Sequence, residues 1–142
     1  MSTPRHQARE AALGALYLWE MGKTDPVEAL NTFFSEHAAD ASDSVREFAS
    51  QIVIGTSGAT AELDALISRH IEHWRVERLA VIDRLILRMA AWELQHETDT
   101  PPAVVLNEAL ELARTFSTDD SVRFVNGVLD SISRALKEND GK

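Results

Sequence analysis

Apolar residues recur every three or four positions along almost the whole chain, the period of helices with one buried face. No convincing alternation of the kind a strand needs is present. Phe48, Ile52 and Val53 form one such stripe, and Leu63, Leu66, Ile67 and Ile71 another. Val122, Val125, Leu129, Ile132 and Leu136 form a third. Thr3 and Pro4 open the first helix as N-cap and first-turn proline, and Gly22 ends it. Asp25, Pro26 and Glu28 repeat that start signal for a second helix ending near His37. The polar stretch AADASDS, residues 38–44, is a loop. A third helix runs from about Ser44 toward residues 55–58, a fourth from Ala59 to His73, and a fifth roughly from Val76 to His96. The fifth is apolar over most of its circumference, which places it centrally. Thr100 and Pro101 cap a sixth helix that ends at Phe116 and Ser117, and Asp119 or Asp120 starts a seventh. Seven helices with short connections predict an all-α fold of two small packed bundles sharing the central helix. The N-terminal bundle covers about residues 1–75 and the C-terminal one about 76–142 of a single domain.

Two helix faces depart from this plain scheme. Asn126 and Gly127, a strong hairpin-turn pair elsewhere, stand in the middle of the seventh helix. On a helical wheel Gly127 lies with Phe124, Asp120, Arg123, Asp130 and Arg134, away from the apolar stripe. A glycine on a merely solvated helix costs ~1 kcal/mol against alanine. Something is therefore expected to approach its backbone: a neighbouring helix, or a ligand held by Arg123, Phe124 and Gly127. The first helix pairs a small-residue stripe, Ala8, Ala11, Ala12, Ala15 and Trp19, with an opposite face of Arg5, His6, Arg9, Leu13 and Tyr17. Cations interleaved with a ring suit single-stranded RNA, guanidiniums meeting phosphates and the ring stacking on an unpaired base. The bland alternative is an ordinary solvated face.

Charge changes the picture only in part. The 142 residues carry a net charge of −9, which at first argues against a polyanionic partner. Residues 24–73 hold two Lys/Arg against nine Asp/Glu, so most of the acid is confined to one segment. Basic patches at either end remain compatible with the total. The absence of cysteine excludes disulfides, thiolate nucleophiles and cysteine-based zinc sites, and suits a reducing cytoplasm. The N-terminus MSTPRHQARE has no apolar signal core. The most apolar run, residues 76–94, holds six charged residues, too many for a membrane span.

Three blocks then match a known family. They are R-x-x-A-R-E-A-A-L-x-A-L-Y at Arg5–Tyr17, D-R-x-I-L-R-x-A-x-x-E-L at Asp83–Leu94, and N-E-A-x-E-L-A-x-x-F-S-x-x-D-S-x-x-F-V-N-G-V-L-D at Asn107–Asp130. In order and spacing the chain resembles the NusB family of bacterial transcription antitermination factors, with residues 24–73 the least characteristic part. The resemblance implies an all-helical pair of bundles that binds boxA RNA together with NusE, a small-subunit ribosomal protein. It also implies a place in the RNA polymerase antitermination complex on ribosomal RNA operons. The family's arginine-rich motif falls on Arg5, His6 and Arg9, its aromatic on Tyr17, and a second RNA-contacting block on Asp120, Ser121, Arg123 and Phe124. In NusB-like folds that block lies beside the first helix. His6 and Gln7 stand where some members carry cations, so reliance on the protein partner is expected.

The other chemistry-bearing residues have structural readings. Asp83 shares a wheel position with Leu79, Leu87 and Leu94, which predicts a buried ion pair with an arginine rather than a catalytic acid. Asn107 and Glu108 are read as inter-helix hydrogen-bonding residues. His70 and His73 have helical metal-ligand spacing without a completing carboxylate or cysteine, and are read as surface histidines. No phosphate loop, nucleophile elbow or paired-carboxylate motif is present, so neither an enzyme nor a cofactor is expected. Two rivals remain beside the RNA-binding adaptor, as monomer or homodimer. One is a NusB-like interaction module without RNA binding. The other is a detached RNA-targeting domain of a ribosomal RNA methyltransferase, whose catalytic cysteine and cofactor domain this chain lacks.

Overall fold

A computed structural model describes residues 3–140. Seven α-helices make up the described fold: α1 Pro4–Gly22, α2 Pro26–His37, α3 Asp43–Gly58, α4 Thr60–Ser68, α5 Val81–His96, α6 Pro102–Phe116 and α7 Asp119–Asp140. A single 3-10 turn, Val76–Arg78, precedes α5. The all-α expectation is met. The chain divides into two compact units, Met1–Gly58 and Ala59–Lys142. The pattern of apolar residues had put the boundary near 75; instead α4 and the 3-10 turn belong with the second unit, where α4 packs on α5 and α7.

In the first unit, α1 packs on both α2 and α3. Thr3 caps α1, its Oγ1 accepting from the His6 N–H at 3.1 Å, and Asp25 caps α2 by accepting from the Val27 N–H at 2.7 Å. Each satisfies one backbone donor that the first turn leaves without an intrahelical partner. Gly22 remains helical; Lys23 takes the left-handed turn, with φ 53°, and donates its N–H to Trp19 O. Ala8, Ala11, Ala12 and Ala15 are buried, as their stripe predicts, and let the neighbouring helices approach closely. Gly14 extends that principle. A Cβ there would overlap the Phe33 ring of α2, with ring atoms at 2.7 and 2.8 Å. Arg46 ties down the loop before α3, donating to Ala39 O and Ala41 O at 2.9 and 3.2 Å while its guanidinium sits 4.8 Å from the Phe34 ring centre.

In the second unit α5 is buried on most sides, carrying Leu85, Ile86, Leu87, Met89, Ala90 and Ala91 into the core, and it packs on α4, α6 and α7. Two boundaries differ from expectation. The fourth helix stops at Ser68, where Arg69 and His70 donate to carbonyls only three residues back, the tightening typical of a helix end. The fifth begins at Val81 rather than Val76, because Leu79 and Ala80 are extended, with ψ 153° and 139°. The periodicity runs across this break because Val76 is buried from the 3-10 turn instead. His70 and His73 accordingly lie past the end of α4, and His70 is hydrogen-bonded to Ser131 of α7 at 2.7 Å.

The close neighbour expected at Gly127 is not there: a Cβ on that residue would meet nothing within 4 Å. The two glycines therefore make opposite predictions. Gly127→Ala should stabilise the protein by up to ~1 kcal/mol through helix propensity. Gly14→Ala should destabilise it by about 1–2 kcal/mol, the overpacking against Phe33 exceeding the same propensity gain. Denaturant unfolding of both variants beside the parent checks the pair, and a later midpoint for Gly14→Ala would contradict the packing described.

Candidate nucleic-acid interface

The residues expected to contact RNA divide between the two units. In the first, Arg5 lies in the opening turn of α1, exposed, its guanidinium carbon 3.7 Å from the centre of the Phe48 ring of α3. Phe48 is itself buried. The ring face therefore holds a cation in place at the surface, an attraction of about 0.5–1 kcal/mol at exposed sites. Pro4, Arg5, Ser44, Glu47, Phe48 and Gln51 line a shallow cleft of about 250 Å³ here. His6, half-buried, donates from Nε2 to Glu10 Oε1 at 2.9 Å, one turn along the same helix. Tyr17 is 41% exposed and presents its ring to solvent.

Arg9 departs from the expectation. It is only 3% exposed, with its guanidinium carbon 5.2 Å from the same Phe48 ring, and Leu13 one turn further on is buried as well. The Arg9 guanidinium is thus less open to a surface-bound strand than that of Arg5. Arg9 and Arg5 approach the same Phe48 ring, one buried and one exposed. A helical wheel of α1 groups Arg9 and Leu13 with Arg5 and Tyr17 by angle, and angle alone does not report which strip another part of the protein covers.

The second surface is the start of α7. Thr118 caps the helix, its Oγ1 accepting from the Ser121 N–H at 3.1 Å, so Asp119 and Asp120 occupy the first turn rather than the cap. There their charge complements the helix dipole. Asp120 and Arg123 form an exposed ion pair, three residues apart. Phe124 is half-buried and faces a cleft of about 290 Å³ shared with Trp74, Arg78, Leu79 and Asp83.

Asp83 sets this surface, and by a different bond from the one expected. Its carboxylate, 7% exposed, accepts from Ser117 Oγ at 2.8 Å and Ser121 Oγ at 2.6 Å. Those serines bracket the α6–α7 corner, so one carboxylate of α5 fixes both the end of α6 and the first turn of α7. The buried ion pair foreseen for Asp83 belongs to Arg88 on the same helix, which donates to both carboxylate oxygens of Asp64 at 2.7 and 2.8 Å. Asn107, read as an inter-helix hydrogen-bonding residue, is exposed. The sequence signal for Ser117 and Ser121 was present as two hydroxyls flanking a helix start, but nothing linear connects them to a residue more than thirty positions earlier.

Seven helices in two units, with the buried charges of α5 bonded to the helices around it, define an all-α protein. The NusB family model matches residues 6–134. Relatives include the transcription antitermination protein NusB of Solibacter usitatus, 42% identical over 134 residues that cover 94% of this chain and 91% of the relative. The corresponding protein of Koribacter versatilis is 45% identical over 132 residues, 93% and 90% of the two chains. Among solved structures, T. maritima NusB superposes with a TM-score of 0.86 at 36% identity, covering 94% of this chain and 93% of that one. NusB in a crystal structure of the antitermination factors NusB and NusE with dsRNA gives 0.86 at 27% identity, covering 95% and 99%. The chain belongs to the NusB family.

If Asp83 braces the α6–α7 corner, Asp83→Ala should cost about 1.5–3 kcal/mol, the range for hydrogen bonds to a charged group. Ser117→Ala and Ser121→Ala should each cost less, and neither should add its full cost in the Asp83→Ala background. A double-mutant cycle by denaturant unfolding measures the coupling; strict additivity would show that the three residues do not act together.

Proposed function

We propose that the protein is an RNA-binding transcription antitermination factor that takes boxA-like single-stranded RNA together with the ribosomal protein NusE and joins the RNA polymerase antitermination complex. Its work is recognition rather than catalysis, carried out in the cytoplasm by one NusB-like domain over residues 1–142, as monomer or homodimer. The observation that carries this reading is the presentation of Arg5 on the Phe48 ring: a cation fixed at the surface of an acidic chain is of use to an anionic ligand. Tyr17 supplies a ring on the same helix, and Asp120, Arg123 and Phe124 supply the second contact region, with His6 adding a polar contact beside Arg5. Arg9 serves this surface indirectly through Phe48. The family relationship and the solved NusB–NusE complex with RNA support the assignment of partners.

A NusB-fold interaction module without RNA binding gains one supporting observation, the loss of Arg9 from the solvated face. A salt titration separates the two. Among the assigned contact residues Arg5 and Arg123 are the exposed cations, so one or two phosphates are neutralised. The logarithm of RNA affinity should then fall with the logarithm of salt at a slope of roughly −0.7 to −1.4. Arg5→Ala should flatten that slope by about 0.7 and weaken different RNAs alike, since a phosphate contact does not read bases. Arg9→Ala should act on unfolding instead. Measured with NusE present, a slope of zero in the parent would favour the module without RNA binding.

A further inference from the structure

The cleft at the start of α7 contains a residue that neither the motif nor the charge pattern singled out. Trp74 lies between α4 and the 3-10 turn, 62% exposed, the most exposed large apolar side chain among the described residues. The residue before it, His73, has a φ of 68°, a conformation that side chains other than glycine adopt rarely. An indole left in water beside such a turn gains nothing from core packing. It lines one side of the 290 Å³ cleft and Phe124 lines another, with Asp83 and Ser121 also in the lining. The two rings come from elements fifty residues apart, and the Asp83–Ser121 bond holds the Phe124 side of the cleft in register.

The lining combines three chemistries. Two aromatic surfaces offer faces for stacking, which every nucleobase can use. Asp120, exposed and also in the lining, offers carboxylate oxygens that accept from a base edge. Arg78 lines the same cleft, and Arg123, on α7, is exposed one residue before Phe124; both are guanidiniums suited to phosphate. An apolar peptide side chain would use only the first of these. A nucleotide uses all three, with its ring in the cleft and its phosphate toward an arginine. We propose that Trp74 is a stacking residue for one unpaired base of the bound RNA and forms, with Phe124, the walls of a nucleobase site. The assignment rests on the RNA-binding function proposed above and adds to it a contact outside the motif residues.

The chain has three tryptophans, Trp19, Trp74 and Trp92, so each can be replaced in turn while intrinsic fluorescence is followed. The probe is boxA-like single-stranded RNA with NusE present. RNA should quench the emission of the parent, of Trp19→Phe and of Trp92→Phe, and the quenching should vanish in Trp74→Phe, which keeps a ring and binds within a few-fold of the parent. Trp74→Ala should weaken binding about 5- to 150-fold, the equivalent of 1–3 kcal/mol of base stacking. Its unfolding should stay unchanged, because the side chain is largely solvated. Quenching that persists in Trp74→Phe, or parental affinity in Trp74→Ala, overturns the assignment. If the parent binds RNA with the salt dependence given above while Trp74→Ala is unaffected, this site alone fails. If the parent binds no RNA, the function it rests on fails with it.

Discussion

A helix enclosed on most sides cannot keep charged side chains unless each is given a bond, because an isolated buried charge costs far more than a fold of this size can spare. That constraint governs α5, which buries Asp83 and Arg88 among its leucines and alanines. Arg88 takes its partner from α4, through both oxygens of Asp64, and Asp83 takes two hydroxyls from the corner joining α6 to α7. Hydrophobic packing alone would let α4, α6 and α7 slide along the apolar surface of α5 with modest loss. Directional bonds to fixed positions on α5 remove that freedom, and the first turn of α7 takes its placement from them.

The parts of this architecture that were legible in the sequence are those written in local chemistry. Thr3 with Pro4 and Asp25 with Pro26 mark helix starts because capping depends on residues within one turn. The alanine stripe of α1 is legible because periodicity reports one buried face. What escaped reading has non-local causes. Asp83 was correctly read as buried from its neighbours on the wheel, but its choice of Ser117 and Ser121 over an arginine depends on which loop folds back to it. The burial of Arg9 was not legible because a long side chain folded toward Phe48 has the same sequence signature as one reaching into water. Gly14 was overlooked and Gly127 over-read for one reason: a missing Cβ matters only where a neighbour arrives, as Phe33 does at Gly14. The helix boundary near residue 76 was misplaced because Val76 fills a core position without being in the helix that its spacing implies.

The surface cations show a related economy. Arg5 rests on Phe48, and Arg123 is paired with Asp120. The two arrangements differ in what a phosphate must displace. A guanidinium on a ring keeps its hydrogen-bond donors free for an incoming anion, since the ring face attracts the charge without accepting those donors. A guanidinium paired with a carboxylate must exchange one anion for another, which in water yields little net gain. Arg5 is therefore the better poised of the two.

This difference bears on how a chain of net charge −9 would hold the polyanion proposed for it. Long-range attraction is weak or adverse, and screening confines each cation's influence to about 8 Å at physiological ionic strength. Binding must then come from short-range terms that do not depend on the sign of the total charge. Stacking is such a term: a base meets an aromatic face through dispersion and loss of apolar surface, whatever charge lies elsewhere on the protein. Phe124, beside the α7 start that Asp83 braces, costs little further ordering when a ligand arrives. The acidic segment between residues 24 and 73 does not oppose such contacts, because those of the proposed function are local in range.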